Sequence, residues 1–378
     1  MNKTKTLKRE QCLIDHKSKI KNFYKFKNFP LFIGCTDTSI KKDKFVNMEW
    51  GVSNYGLVQL KKLIDPKELY KKYHSEAIGK VWDRHNIEFC KFIKKYSGSK
   101  ILEVGSGSCQ IAKELVKSKK IKNWINIEPG ISKNKIKNKK IKLISNFIEN
   151  VNSKNYKYQD TFVHSHTLEH FYDPINVLKK VINESYINKM IFSVPNLAEY
   201  VKRKYSNSLN FEHTFLLSEE LTSFFLKEFN FVVKKKKYFL NHSIFYYAEK
   251  SAKIIKKKKP NLKKHKINFS KMVNYYKKEV KKINKIITNS NSPSFIFGAH
   301  VFTQFLINFG LKEKLLKNVL DNSDQKYNKR LYGTNLIVKK PNLLKTISQA
   351  NVIVKVGEYQ TEVERQLKQL NNKIRIIR

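Results

Sequence analysis

The residues best equipped for chemistry stand between Ile101 and Pro129. Ile101-Leu-Glu-Val-Gly-Ser-Gly-Ser-Cys109 is an apolar run that ends in Glu103-x-Gly105-Ser106-Gly107. A second apolar run, Trp124 to Ile127, ends in Glu128, 25 positions beyond Glu103. Glycines behind a buried strand allow a tight turn into a helix and let a ligand lie close to the backbone. A carboxylate at the tip of the next strand is the group that grips the two hydroxyls of a ribose. Together they predict a nucleoside-binding α/β domain. A dinucleotide fingerprint would need a third glycine where Gln110 stands, with a pyrophosphate resting on the helix N-terminus. The acidic Glu103 ahead of the turn would repel a pyrophosphate and suits a ligand carrying an amino group, which favours S-adenosylmethionine over NAD. Glu103, Gly105, Ser106, Gly107 and Glu128 are therefore the candidate cofactor residues.

Further candidates follow the later strands of the same pattern. His164-Ser-His-Thr-Leu-Glu-His170 closes the fourth strand and is rich in imidazole. His164, Ser165 and His166 are expected to line the cofactor, and no metal site is expected there. Phe147 and Ile148, after the third strand, are candidates to sandwich adenine, although core residues would read the same way. Pro195 and Asn196, after the fifth strand, are expected to shape the acceptor pocket.

The elements that must carry these residues alternate strand and helix. Strands are expected at Ile101–Val104, Trp124–Ile127, Ile141–Ile144, Thr161–His164 and Met190–Val194. Helices are expected at 78–95, Ile111–Ser118 and Ile175–Ile182, with Phe231–Lys237 and Ser243–Ala248 closing the sheet as an antiparallel pair. The βαβα order implies a parallel sheet. The lysine-rich stretch 251–269 contains Pro260 and marks a boundary. A helix at Lys271–Thr288 and a second α/β pattern follow, with strands at Ser294–Phe297, Asn318–Leu320, Asn351–Val356 and Lys373–Ile377 and a helix at Val301–Phe309. The domains read as 1–75, 76–250, a basic linker and helix over 251–290, and a smaller Rossmann-like unit over 291–378.

Composition narrows the setting. The chain has 378 residues, 40% of them hydrophobic, enough for two or three real cores. Four scattered cysteines make no disulfide scaffold, and the first residues lack the apolar segment of a signal peptide. With no run near 18 apolar residues, neither a spanning helix nor membrane insertion is expected, and the setting reads as cytoplasmic. The net charge of +46 is spread along the chain, dense only at Lys234–Lys237 and Lys256–Lys259. It predicts attraction to anionic small molecules and no specific nucleic acid.

Three further segments resemble the sugar C-methyltransferases, which use S-adenosylmethionine on nucleotide-linked deoxysugars. Gly56-Leu-Val-Gln-Leu60 with the tyrosine-containing stretch Asp65 to Tyr73 is similar to the family's N-terminal zinc-type module. Phe211-Glu-His-Thr-Phe-Leu-Leu-Ser218 resembles its His-Glu-His-x-x-Tyr-Phe-Ser motif. Ser294-Phe-Ile-Phe-Gly-Ala-His300, with Asp321 and Tyr332-Gly-Thr334, resembles C-terminal elements of the same family. The resemblance implies a class I methyltransferase (Rossmann-like) domain between a small N-terminal module and a C-terminal Rossmann-like domain. It also implies S-adenosylmethionine as cofactor and a nucleotide sugar or surface-glycan precursor as acceptor. The sequence departs from the family at the zinc ligands, where Cys12 is followed by Asp15, Val52 and Tyr55, so zinc is not expected. It departs again at Asn210, where the family has tyrosine, and at Asn241-His-Ser243. Leu168-Glu-His170 resembles a motif common in methyltransferases that organises the strand-to-helix turn.

Under this resemblance His213 is the candidate base, since imidazole titrates near working pH, and Glu212 would orient it or hold substrate hydroxyls. Tyr73 and Asn210 are candidates to touch the acceptor. Carbon and oxygen acceptors both stay open. The alternatives are an RNA or protein methyltransferase, and a binding scaffold without catalysis.

Overall fold

The structure, a computed structural model, describes residues 4–70, 79–130 and 138–378. The first described part is built on two long strands, β1 (Lys21–Pro30) and β2 (Phe45–Val52), paired antiparallel, with β3 (Val58–Leu60) added beside β2. Val46, Met48 and Trp50 recur at period two on β2 and are all buried, the pattern of a sheet with one face on a core. β1 carries three lysines among its aromatics, which hide its alternation in the sequence.

Next comes α1 (Lys80–Tyr96), whose buried His85, Phe89, Phe92 and Ile93 fall on one helical face. The central unit follows with β4 (Lys100–Val104), α2 (Gln110–Leu115), β5 (Asn123–Ile127), β6 (Ile141–Ile144) and β7 (Thr161–Ser165). It continues through α3 (Pro174–Asn183), β8 (Lys189–Pro195), α4 (Leu197–Arg203), α5 (Glu219–Glu228), β9 (Phe231–Phe239) and β10 (Ser243–Lys250). These strands form one seven-stranded sheet in the order β9-β10-β8-β7-β4-β5-β6. Only β10 runs against the rest, inserted between β8 and β9. This is the mostly parallel, Rossmann-like sheet that the βαβα order implied.

The chain then runs along α6 (Lys263–Thr288), which starts eight residues before the expected Lys271. His265 and Phe269 extend its buried face by two turns, while Lys263, Lys264 and Lys266 stay on the solvent side. Beyond it lie β11 (Ser294–Phe297), α7 (Val301–Asn308), β12 (Leu316–Leu320), β13 (Val338–Lys339), β14 (Asn351–Val354), α8 (Gln360–Leu370) and β15 (Arg375–Ile377). The strands make a five-stranded parallel sheet ordered β13-β12-β11-β14-β15.

The two ends of the chain share one core. Phe26, Phe29 and Trp50 from the first strands pack with Phe269 and Val280 of α6, with Phe305 of α7 and with Ile296 and Val338 of the last sheet. A buried ion pair ties them as well: both Arg330 guanidinium nitrogens donate to Asp43, at 2.7 and 2.8 Å. At the positions of the family's zinc ligands, Asp15 accepts from Lys17 N, Ser18 N and the Tyr55 hydroxyl, the last at 3.0 Å, so hydrogen bonds hold that knuckle. Among the described residues no helix is long and apolar enough to cross a membrane.

Candidate active site

The chain steps outward from β4 to β5 and β6, then returns to place β7 on the other side of β4. Open α/β sheets bind ligands at such a switch point, outside the carboxyl ends of the strands. The glycine turn sits there. Gly105 (φ 76°) and Gly107 (φ 52°) both occupy the left-handed region, but their surroundings differ. A Cβ on Gly105 would lie 2.3 Å from Thr167 Oγ1, so this glycine lets the turn press against the exit of β7. Among the described residues a Cβ on Gly107 would meet nothing within 4 Å. Glu128, at the tip of β5, is held over that open side, accepting from Gly107 N at 3.3 Å and Gly130 N at 3.1 Å. The Ser106 hydroxyl donates to Asn126 Oδ1 at 2.6 Å and braces the turn from beneath.

Glu103 requires a correction. Alternation along β4 sends Leu102 and Val104 to one face and Glu103 to the other, where it is buried under α1 and α2. There it accepts from Trp124 Nε1 at 2.9 Å and Asn126 Nδ2 at 3.1 Å, and burial raises its carboxyl to about 8. It ties β4 to β5 behind the turn instead of facing a ligand. His164 also turns inward: it is fully buried, stacks on Phe192 at 4.8 Å, and burial lowers it to about 3. Ile148 belongs to the core with Leu102 and Ile125, while Phe147 stays partly exposed with its ring 6.3 Å from that of Tyr70.

Ser165 shares a 2.8 Å hydrogen bond with Ser193, and His166 Nε2 shares one of 2.8 Å with Ser243. Trp82 of α1 packs edge-on against His166. Asn196 caps α4 through Glu199 N, and Pro195 lines a cleft of about 850 Å³ that α4, α5 and the start of α6 also border. Tyr73 lies outside the described residues.

Beside the glycine turn a second group assembles. The metal-ligating atoms of Glu169, His170 and His213 lie within 4.8 Å of one another, and the two imidazole rings are 5.0 Å apart. Sequence reading had assigned Glu169 and His170 to a turn and had not joined them to His213, 43 positions on. Backbone bonds bring them together. Thr214 N donates to Glu169 O at 2.9 Å, and Asn210 Oδ1 accepts from Glu212 N at 2.7 Å and His213 N at 3.0 Å. Asn210 therefore folds the loop that carries His213. Burial lowers His213 to about 4, which keeps its imidazole neutral.

Two residues in this framework escaped the sequence reading. Arg9 is buried and donates to Thr214 O and Tyr172 O, both at 2.7 Å, clamping the two loops to the first part of the chain. Its place in a Lys/Arg-rich first segment gave no sign of this. Tyr70 shares a 3.0 Å hydrogen bond with His170 Nδ1, and burial holds its phenol well above the ordinary range, with Glu212, Glu128 and Glu169 among the charges adding to the effect. Its neighbour in sequence, Tyr73, had drawn attention instead.

No protein-family model matches the sequence, nor does any curated protein. Solved structures similar to this chain include the methyltransferase domain of bacterial CtHen1-C, at 13% identity and TM-score 0.36, over 46% of this chain and 100% of that one. Another is the plantazolicin methyltransferase BpumL in complex with S-adenosylhomocysteine, at 14% identity and TM-score 0.34, over 46% of this chain and 90% of that one. A third is the magnesium protoporphyrin IX methyltransferase of Synechocystis with bound S-adenosylmethionine, at 11% identity and TM-score 0.34, over 47% and 88% of the respective chains.

Proposed function

We propose that this chain is an S-adenosylmethionine-dependent methyltransferase whose acceptor is a small molecule, a nucleotide-linked sugar being the class its sequence resemblance favours. The observation that carries the reading is the turn at the switch point, where Gly107 faces open space and Glu128 is held above it to take the ribose hydroxyls. Methyl transfer is an in-line displacement. The acceptor atom forms a bond to the methyl carbon as the carbon–sulfur bond breaks, and the positively charged sulfonium becomes a neutral thioether. The protein's part is to hold both reactants at the correct distance and angle. Donor and acceptor sides are both present in this reading. The turn with Glu128 and Phe147 takes the nucleoside, and the Glu169, His170, Glu212 and His213 side takes the acceptor.

Calorimetric titration with S-adenosylmethionine, S-adenosylhomocysteine and NAD, on wild type and Glu128→Ala, tests the reading. Micromolar binding of the first two, lost in the variant, is the expected result. A preference for NAD, or no binding at all, would sink it. Release of S-adenosylhomocysteine in the presence of a panel of nucleotide sugars then tests the acceptor class.

A further inference from the structure

We propose that Glu169, His170 and His213 form a site for a divalent transition-metal cation that holds and activates an acceptor hydroxyl. The donor set is two imidazoles and one carboxylate, from two loops that backbone hydrogen bonds lock together. A cation with bonds of about 2.1 Å draws its ligands to within roughly 4 Å of each other. A small side-chain adjustment reaches that from the 4.8 Å spread seen here. An independent observation points the same way. Glu169 is only 1% exposed, yet neither carboxylate oxygen has a hydrogen-bond partner among the described residues. A buried carboxylate without a donor is costly, and a metal ion is one of the few groups that satisfies it.

The surroundings supply what orients metal ligands elsewhere. His166 Nδ1 stands 3.6 Å from Glu169 Oε1, and the Tyr70 hydroxyl engages His170 Nδ1. Contacts of this kind fix the rotamer of a ligating group. Two imidazoles and a carboxylate with positions left open suit manganese, iron, cobalt or zinc better than magnesium or calcium, which prefer all-oxygen sites. A hydroxyl bound to such a cation ionises far more readily than in water. Its proton leaves to solvent, and the oxygen lone pair then forms the bond to the methyl carbon. His213 is in this account a ligand and not the base, and the acceptor atom is oxygen.

The activating role rests on the methyltransferase reading; the cation site does not. The test is titration of the chelator-treated full chain with Co²⁺, followed by calorimetry and by visible absorption. One Co²⁺ per chain is expected, with ligand-field bands, at least about 100-fold weaker in Glu169→Gln and His213→Ala and about tenfold weaker in Tyr70→Phe. His300→Gln, in the C-terminal unit, keeps wild-type binding. No binding by wild type, or binding that survives both ligand substitutions, overturns the proposal. Should either ligand variant fail to fold, wild type remains decisive: Co²⁺ must raise its midpoint of thermal unfolding in a concentration-dependent way, and an unmoved midpoint overturns the site. S-adenosylmethionine titrated in the same samples separates the two readings. Donor bound with no cation site removes only this inference, while cation bound with no donor site removes the methyltransferase reading.

Discussion

The chain carries two strand–glycine–helix turns, each facing an acidic residue at the tip of the next strand, and only one keeps that residue partly exposed. In the central unit Gly107 meets nothing among the described residues and Glu128 is partly exposed over it. In the C-terminal unit the acidic residue is buried instead: Asp321 is 8% exposed. Its carboxylate accepts from Ala299 N at 2.8 Å, Ser323 N at 2.9 Å and Lys326 Nζ at 3.0 Å. The same topology thus leaves its carboxylate partly exposed in one half and makes a self-satisfied structural joint in the other. What separates them is that Asp321 is buried and paired with Lys326, whereas Glu128 is held by two backbone amides alone and stays partly exposed. A parallel sheet with a glycine turn is therefore weak evidence of a cofactor until the partners of its carboxylate are known.

The sharpest way to break this comparison is to remove both carboxylates in turn. Glu128→Ala is expected to weaken S-adenosylmethionine at least 100-fold, about 2.7 kcal/mol, with little change in unfolding midpoint. Asp321→Ala is expected to leave donor affinity at the wild-type value. Calorimetry on the two variants decides, and equal losses of affinity would erase the distinction between the turns.

Most of the fold was legible because buried parallel strands read as uninterrupted apolar runs. Ile141–Ile144 and Ser294–Phe297 occur with the expected bounds, and the reversed hairpin of β9 and β10 was foreseen from its flanking turn. Glu103 misled because its type fitted a ligand while its register, one residue from Val104, sent it behind the sheet. Glu169 and His213 were not joined to each other for a different reason. Each looked local in sequence, and their meeting depends on Arg9 and Thr214, a contact spanning 205 positions that no local pattern encodes. Long-range hydrogen bonds to backbone carbonyls leave no periodicity to read.

Arg9 gives the second test, because it clamps the loops beside the glycine turn from outside the central sheet. Arg9→Met keeps the length of the side chain but removes the guanidinium donors to the carbonyls of Tyr172 and Thr214, the latter keeping Leu60 N at 2.9 Å. The expected cost is about 2–3 kcal/mol of stability by denaturant unfolding. Co²⁺ binding should weaken while S-adenosylmethionine affinity stays near wild type, since the clamp holds the acceptor-side loops and not the glycine turn. Unchanged Co²⁺ binding would mean those loops hold themselves.

In the C-terminal joint the expected loss is purely structural. Asp321→Ala strands the buried amide of Ala299 and the half-buried one of Ser323, and a destabilisation of about 1–2 kcal/mol in urea is expected at neutral pH. An unaltered unfolding curve would show that water replaces the carboxylate at no cost, and that the joint is less closed than its geometry implies.

The smallest effect concerns the carboxylate behind the open turn. Burial raises Glu103 from 4.5 to about 8, so the folded state holds a proton that the unfolded chain releases. Its contribution is fully present below pH 4.5 and is lost as pH rises toward and through 8, because over that window the native state binds more protons. One such group sets a slope of at most about 1.4 kcal/mol per pH unit. Glu103→Gln keeps an oxygen for Trp124 Nε1 and removes the proton, so its stability should fall less steeply between pH 5 and 8. The gap over wild type should widen with pH and be negligible at pH 4. Asp321→Asn in the other turn should not reproduce that widening. Parallel stability curves for wild type and Glu103→Gln would show that Glu103 stays ionised in the fold, with Trp124 and Asn126 outweighing its burial.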